Sequence, residues 1–419
     1  MRSDGALDTE TTPDTVVQRS RLGRQFTKLW AATSASAVGA GVSLAAAPLM
    51  ASTLTDDPRL IAGVSVALTL PYALFGIPAG VLVDRVDRRR TMVRIDFFRG
   101  LVISALVLLV ALDSAGLGAL YACFFLIGTC ETFFRNAAQI LVPSVVSEKH
   151  LVAANGRIMS SETVGNQFVG PLIGSSLFVL APAVPFGINA ATFFASATLL
   201  TCLRLSAGGD PGPSAEERPR LLTDMATGLR WLLRHRLLRN LSLTAGAVNL
   251  VYTGALAVLV VYAHHELGLS DVGYGVLVAC QAVGAIGAAK LSPPLVRRIG
   301  HGRTLVSVVT AFGCSNLIIW LFPSAWAVGP ALALGACASV TWNTVTVVLR
   351  QTLVPKELQG RVNSIYRLFA WGALPIGAGL AGVISNSYGT PAVYALGVGV
   401  MAAVAVRLAF GVRTWFSRA

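Results

Sequence analysis

Three stretches of this chain hold ionisable side chains at chemically meaningful spacings. Glu131 and Arg135 are four residues apart and Asp96 and Arg99 are three apart, so each pair shares a face if its segment is helical. Glu162 lies in a separate apolar run. Carboxylates held away from bulk water can take up and release protons, which is what coupling to a proton gradient requires. The same residues also fit a structural pairing of Glu131 with Arg135, with Glu162 resting in a vestibule. The third stretch, "GVLVDRVDRRR" from Gly80 to Arg90, places six charges in seven positions: Asp84, Arg85, Asp87, Arg88, Arg89 and Arg90. An Asp at a helix end suits the N-terminus of a neighbouring helix, where unsatisfied N–H groups and the macrodipole favour an anion. Arginines beside it suit lipid headgroups, or partners such as Asp84, Asp87 and Asp96.

Other signals exclude whole classes of chemistry. "GAGLAG" (Gly377 to Gly382) fits G-x-G-x-x-G but lies in an apolar run with no βαβ unit around it, so close helix packing is the better account. His264, His265 and Glu266 fall in a connecting loop and read as solvated residues, so no metal site is expected. There is no nucleophile–base–acid set and no phosphate loop, so neither enzymology nor ATP-driven work is expected, and no cofactor.

These charges are set in an overwhelmingly apolar chain. Of 419 residues, 54% are hydrophobic and only 13% are charged, with a mean hydropathy of +0.67; soluble domains carry about 25% charged residues. A helix needs about 20 apolar residues to cross a bilayer's hydrocarbon. Twelve runs qualify: residues 27–50, 61–83, 93–112, 116–138, 156–180, 185–203, 241–263, 272–292, 304–322, 326–349, 364–385 and 391–412. The six cysteines, Cys123, Cys130, Cys202, Cys280, Cys314 and Cys337, all fall in these runs and read as buried small hydrophobes. Residues 1–25 are polar, carry no signal peptide, and read as a flexible tail.

The net charge of +13 is distributed as a membrane topology requires. If the runs alternate across a bilayer, all 33 Lys and Arg except Arg59 collect on one side. That bias predicts both termini in the cytoplasm of a cell (inner) membrane protein. It also places Glu131 and Glu162 about 10 Å from the inner surface, near enough to interact. A basic face with interleaved aromatics is missing, so nucleic acid is not an expected partner.

The chain also repeats itself. "VDRVDRRRTM" (Val83 to Met92) aligns with "VRRIGHGRTL" (Val296 to Leu305), and "QILVP" (Gln139 to Pro143) with "QTLVP" (Gln351 to Pro355), at nearly one offset. Repeated bundles with a site between them are common in transporters. The expected organisation is an all-α membrane protein: a tail (1–25), a six-helix bundle (26–203), a cytoplasmic linker (204–239) and a second six-helix bundle (240–419). The segment "TDMATGLRWLLRHRLLRN" (Thr223 to Asn240) reads either as a basic amphipathic helix on the inner surface or as a plain connector.

Gly80, Leu82, Asp84, Arg85, Arg88 and Arg89 match the G-x-L-x-D-R-x-G-R-R loop of the major facilitator superfamily, with Asp87 where that signature has Gly. "GRVNSIYRLFAWGALPIGAGLAG" (Gly360 to Gly382) resembles the branch that holds drug and macrolide pumps and enterobactin-type siderophore exporters. "GPLIGS" (Gly170 to Ser175) is similar, in part, to the antiporter motif of the fifth helix.

The resemblance implies two six-helix bundles rocking about a central cavity. The transported cargo would be a drug, a macrolide or a siderophore-like metabolite, exchanged for protons by a monomer in the lipid bilayer. It assigns Gly80, Asp84, Arg85, Arg88, Arg89, Asp96 and Arg99 to a gate, with Asp84 latching onto the eleventh span. It also puts Asn166, Gln167, Asn249, Tyr252, Gln281, Trp342, Asn343, Tyr366, Arg367 and Trp371 on cavity-facing spans. An aromatic and amide lining suits a bulky, amphipathic small molecule. Related exporters often carry an acid in the first helix, whereas "SAVGAGVSL" (Ser36 to Leu44) has none, so Glu131, Arg135 and Glu162 are the coupling candidates. Nutrient uptake by the same fold, or a non-transporting membrane sensor or assembly protein, fits the same sequence.

Overall fold

The computed structural model describes residues 23–84, 86–147, 150–203, 229–355 and 358–415. All secondary structure among them is helical. In chain order the helices are α1 (Gly23–Leu54), α2 (Pro58–Asp84), α3 (Arg88–Ala111), α4 (Leu117–Val145), α5 (Leu151–Val164, continued by a π turn Gly165–Val169 and Gly170–Leu180) and α6 (Ala183–Thr201). After a short helical stretch at 229–234 come α7 (Arg236–Ala257, bending into Leu259–Val261 and a π turn Tyr262–Glu266), α8 (Asp271–Leu321), α9 (Ala325–Leu353), α10 (Gln359–Tyr388) and α11 (Thr390–Trp415). Nine helices among the described residues are long and apolar enough to cross a membrane, or ten if the bent pair Arg236–Ala257 and Leu259–Glu266 is one span. This is a multi-pass membrane protein. The tail at 1–22 and most of the expected linker lie outside the described residues.

Local chemistry sets the helix ends. Asp57 precedes Pro58, and its Oδ1 accepts from the Arg59 N–H at 2.9 Å, which puts a capping carboxylate before a proline at the first turn. Asp87 caps α3 by accepting from Arg90 N. Arg89 donates to the carbonyls of Leu200 and Thr201, and Lys28 Nζ to that of Cys202 at 2.7 Å, so two cations close the C-terminal end of α6. The expected basic helix is interrupted at His235, which caps α7.

The runs expected at 272–292 and 304–322 both lie in α8, Asp271–Leu321, which is two helices meeting at a kink at Gly300 (φ 77°, ψ 164°). Its 51 residues would extend about 77 Å if straight, more than twice a hydrocarbon core. It doubles back instead: Tyr274, Leu277 and Ile319 meet in one core, while Leu305 and Val308 lie in another. Only a residue free to take positive φ makes that corner without strain. Gly300 stands in the segment that the internal repeat aligns with the α2–α3 corner.

Close crossings fix the helix pairs. A Cβ at Gly174 would lie 2.3 Å from the Val42 carbonyl oxygen and one at Gly41 would lie 2.5 Å from that of Gly165, so α1 and α5 touch backbone to backbone. Gly377 of "GAGLAG" meets the Leu250 carbonyl of α7 in the same way, at 2.2 Å. α2 also packs on α4, α3 on α6, α8 on α9 and α11, while α2 against α10 and α5 against α8 join the earlier helices to the later ones.

The apolar cores are arranged unequally along the helices. One core takes residues from both sets: Leu49, Ile61, Phe124 and Phe186 with Val260, Tyr274, Val328 and Tyr394. It occupies the end of the molecule far from Gly23 and Trp415. At the opposite, terminal end two cores stay separate, one around Phe26, Met92, Phe134 and Leu200 and the other around Leu238, Leu305, Leu349 and Leu408. Among the described residues, the helix sets therefore share a buried core at the far end and keep separate ones at the terminal end. The cysteines depart from expectation: Cys202 and Cys314 are exposed and the other four are half-buried. For a helix face turned outward the surrounding medium is lipid, so a small apolar side chain gains nothing by hiding from it.

Candidate functional site

A charge network joins α3, α4 and α6 beside the opening. Arg99 is fully buried, with Nη1 3.2 Å from Asp96 Oδ1 and Nη2 2.7 Å from Glu131 Oε2. Asp96 is buried too and takes its second bond from Ser196 Oγ at 2.6 Å. Its partners are thus Arg99 and Ser196, where the arginines of the 85–90 loop are expected from sequence; Arg89 is engaged on α6 and Arg90 on Asp87. Phe134 and Phe193 flank the Arg99 guanidinium at 4.9 and 5.3 Å from their ring centres. In a low-dielectric setting each charge of such a chain is tolerable only because the next one balances it.

The network ends on a group that reaches the opening. Arg135 Nε bonds Glu131 Oε1 at 2.5 Å, one helical turn along α4, and its side chain remains 48% exposed about 15 Å from the end of the helix. Its charge acts on Arg367 of α10, which places it toward the later helix set. Glu162, half-buried on α5, interacts electrostatically with both Arg135 and Glu131. The structure therefore brings Glu131, Arg135 and Glu162 together, and the alternatives of ion pair and proton carrier meet in one place, since Glu131 is paired and Glu162 has no ion pair among the described residues.

The remaining sequence candidates divide by position. Asn166 and Gln167 are half-buried in the π turn of α5, where an inserted residue re-aims side chains. Asn249 donates to the Ala370 carbonyl at 2.7 Å and ties α7 to α10. The Tyr252 hydroxyl donates to Gln281 Oε1 at 2.9 Å, joining α7 to α8, and Gln281 is buried. Trp342 is buried in the core near α9, its Nε1 without a partner. Asn343 is exposed and returns a bond to Ser339. Tyr366 is buried beneath Arg350, and Arg367 lies over the Trp371 ring. In the loop, Arg88 opens α3; Gly80 and Asp84 lie in α2 with side chains outside the described residues, as is all of Arg85. His264, expected as a solvated loop residue, instead lies in the π turn that ends α7, partly buried, with Nε2 3.1 Å from Oδ1 of Asp271 at the start of α8.

Two residues of this region were missed by sequence reasoning. Tyr72 of α2 meets Trp371 edge-on, with ring centres 5.8 Å apart, and Arg350 of α9 stacks on Tyr366 at 3.6 Å. Tyr72 had no charged neighbour in sequence to draw attention to it. Arg350 sits near a helix end, where topology alone explains an arginine, although it immediately precedes the repeat "QTLVP".

Comparisons with known proteins agree on one family. The model of a family described as transmembrane secretion effector (MFS_3) matches residues 22–419. The multidrug efflux pump Tap of Mycobacterium tuberculosis is 26% identical over 409 residues, covering 94% of this chain and 95% of that protein. The enterobactin exporter EntS of Escherichia coli is 28% identical over 369 residues, covering 85% and 84%. Among solved structures, a bacterial homologue of the iron transporter ferroportin in its inward-facing state superposes with a TM-score of 0.68 at 17% identity, over 91% of this chain and 98% of the other.

Proposed function

The chain belongs to the transmembrane secretion effector family of the major facilitator superfamily, and on that premise we propose that it exports amphipathic small molecules by proton-coupled alternating access. It is a transporter and not an enzyme. One observation carries the mechanism: the two helix sets share a core at the far end and keep separate cores at the terminal end. A carrier that rocks about a central site needs one end sealed while the other is open, and rigid bundles with divided cores permit that motion at small cost.

In this reading the two arms of α8 (271–299 and 301–321) are separate crossings, making twelve in two bundles of six. Both termini are cytoplasmic in the inner membrane, the open end faces the cytoplasm, and the monomer is the working unit. Asp84 supplies the latch that holds the cytoplasmic ends together in the opposite state. Glu131 and Glu162, bracketing Arg135, carry the coupling proton: displacement of Arg135 from Glu131 frees a carboxylate at the cavity wall. Drugs, as for Tap, and siderophores, as for EntS, are the substrate classes that the relatives suggest.

The test is accumulation of a compound panel in a pump-deficient host expressing the chain, with and without an uncoupler. Export that collapses with the proton gradient is expected, and export lost in Glu131→Gln with Glu162→Gln. Full gradient-driven export in the double variant removes both residues from the mechanism. Accumulation unchanged for every compound favours the sensor alternative.

A further inference from the structure

Positive charge stands on the later helix set beside the opening, and among the described residues no acid pairs with it. Arg350 of α9 lies over the Tyr366 ring and Arg367 of α10 over the Trp371 ring, with guanidinium carbons 3.6 and 4.1 Å from the ring centres. Among the described residues neither arginine has an ion-pair partner; the salt bridges near the opening are those of Arg99 and Arg135. Arg350 Nη1 is buried without a hydrogen-bond partner, and so is the Tyr366 hydroxyl, on a side chain only 5% exposed. The charges that act on Arg367 are those of Arg135 and Arg350, all of its own sign. Glu131, the carboxylate on the opposite wall, is already held twice.

Unpaired guanidiniums withdrawn from water cost free energy until an anion completes them, and orphaned buried donors add to that cost. Both arginines are also laid flat on aromatic faces, which fixes their forks in place. We propose that Arg350, Arg367 and the Tyr366 hydroxyl form the binding site for an anionic group of the substrate, so that the exported class is aromatic anions such as carboxylates, sulfonates and catecholates. This deepens the exporter reading and rests on it. The planar forks suit a bidentate oxyanion. Trp371, with Tyr72 facing it from α2, supplies a flat apolar wall for the attached ring. An anion held there also offsets the like charge that Arg135 and Arg350 exert on Arg367.

The test uses the full chain in lipid nanodiscs and equilibrium binding of three labelled isosteres: naphthoate, neutral naphthalenemethanol and cationic naphthylmethylammonium. Naphthoate is expected to bind at least about tenfold more tightly than the other two. Arg350→Gln and Arg367→Gln are each expected to lose about tenfold in naphthoate binding. Binding of the neutral compound, retained within about twofold, shows that the variants are folded. The proposal is overturned if the neutral or cationic compound binds wild type as tightly as naphthoate does, or if naphthoate binding ignores both arginines. Efflux in cells separates the two readings. Gradient-driven export with no anion preference in nanodiscs sinks the anion site and leaves the exporter standing. Arginine-dependent naphthoate binding with no efflux of any compound upholds the site and sinks the exporter.

Discussion

Arg99 Nη2 lies 2.7 Å from Glu131 Oε2, a bond that joins α3 to α4 across 32 positions of sequence and lets one buried guanidinium serve two carboxylates. Removing that guanidinium leaves the buried Asp96 with only Ser196 as partner and Glu131 with only Arg135. Arg99→Met is expected to cost about 3–5 kcal/mol, read as a lowered melting temperature and poor yield in detergent, and Arg99→Lys is expected to restore part of it. A methionine variant that melts with wild type would mean that the pair carries no structural weight.

The α1–α5 crossing leaves no room for a side chain. Gly174→Ala puts a methyl group 2.3 Å from the Val42 carbonyl oxygen and is expected to destabilise by about 1–3 kcal/mol. Gly372→Ala, where nothing lies within 4 Å, should be neutral. Equal melting temperatures for the two variants would contradict the backbone contact.

The sealed far end is testable by crosslinking. A Cβ at Gly382 of α10 falls 2.9 Å from the Ala62 Cβ of α2, so a cysteine pair at these positions needs only a small outward shift to reach disulfide geometry. Oxidising Ala62→Cys with Gly382→Cys is expected to block export, and reduction to restore it. Unimpeded export by the fully crosslinked chain would rule out opening at this seam.

His235 offers a pH-dependent element outside the membrane. Its Nδ1 accepts from the Leu238 N–H at 3.4 Å as the cap of α7, and its ring stacks on Trp231 with centres 5.2 Å apart. Burial lowers its pKa from the usual histidine value of about 6.5, so the folded state binds the proton less readily than the unfolded one. The cap's contribution is therefore complete above the unfolded pKa and is lost as pH falls through the depressed folded value. Wild type should lose stability over that acid window, and His235→Asn, which keeps an acceptor but cannot titrate, should flatten the profile. Identical pH dependence of melting in both would assign the effect elsewhere.

Much of this was legible from local rules. The all-helical, multi-pass character and the four-residue step from Glu131 to Arg135 follow from geometry within a single segment, and the structure has both as read. The repeat aligned the segment of Gly300 with the α2–α3 corner, and the chain turns there between two helices. The cysteines misled because an apolar residue in a membrane helix is equally at home facing lipid or protein, so composition cannot assign its face.

What the sequence determined by itself is the solvent of this protein and the pattern of its segments, because hydrophobicity and helical periodicity act over a few turns. Which faces meet was decided only in three dimensions. Arg99 reaches Glu131, Tyr72 finds Trp371, Asn249 is taken up by the Ala370 carbonyl, and Arg350 lies on Tyr366, because helix pairing depends on where small residues allow two backbones to approach. Those close approaches, at Gly41, Gly174 and Gly377 among others, are relations between distant segments, and no local rule contains them.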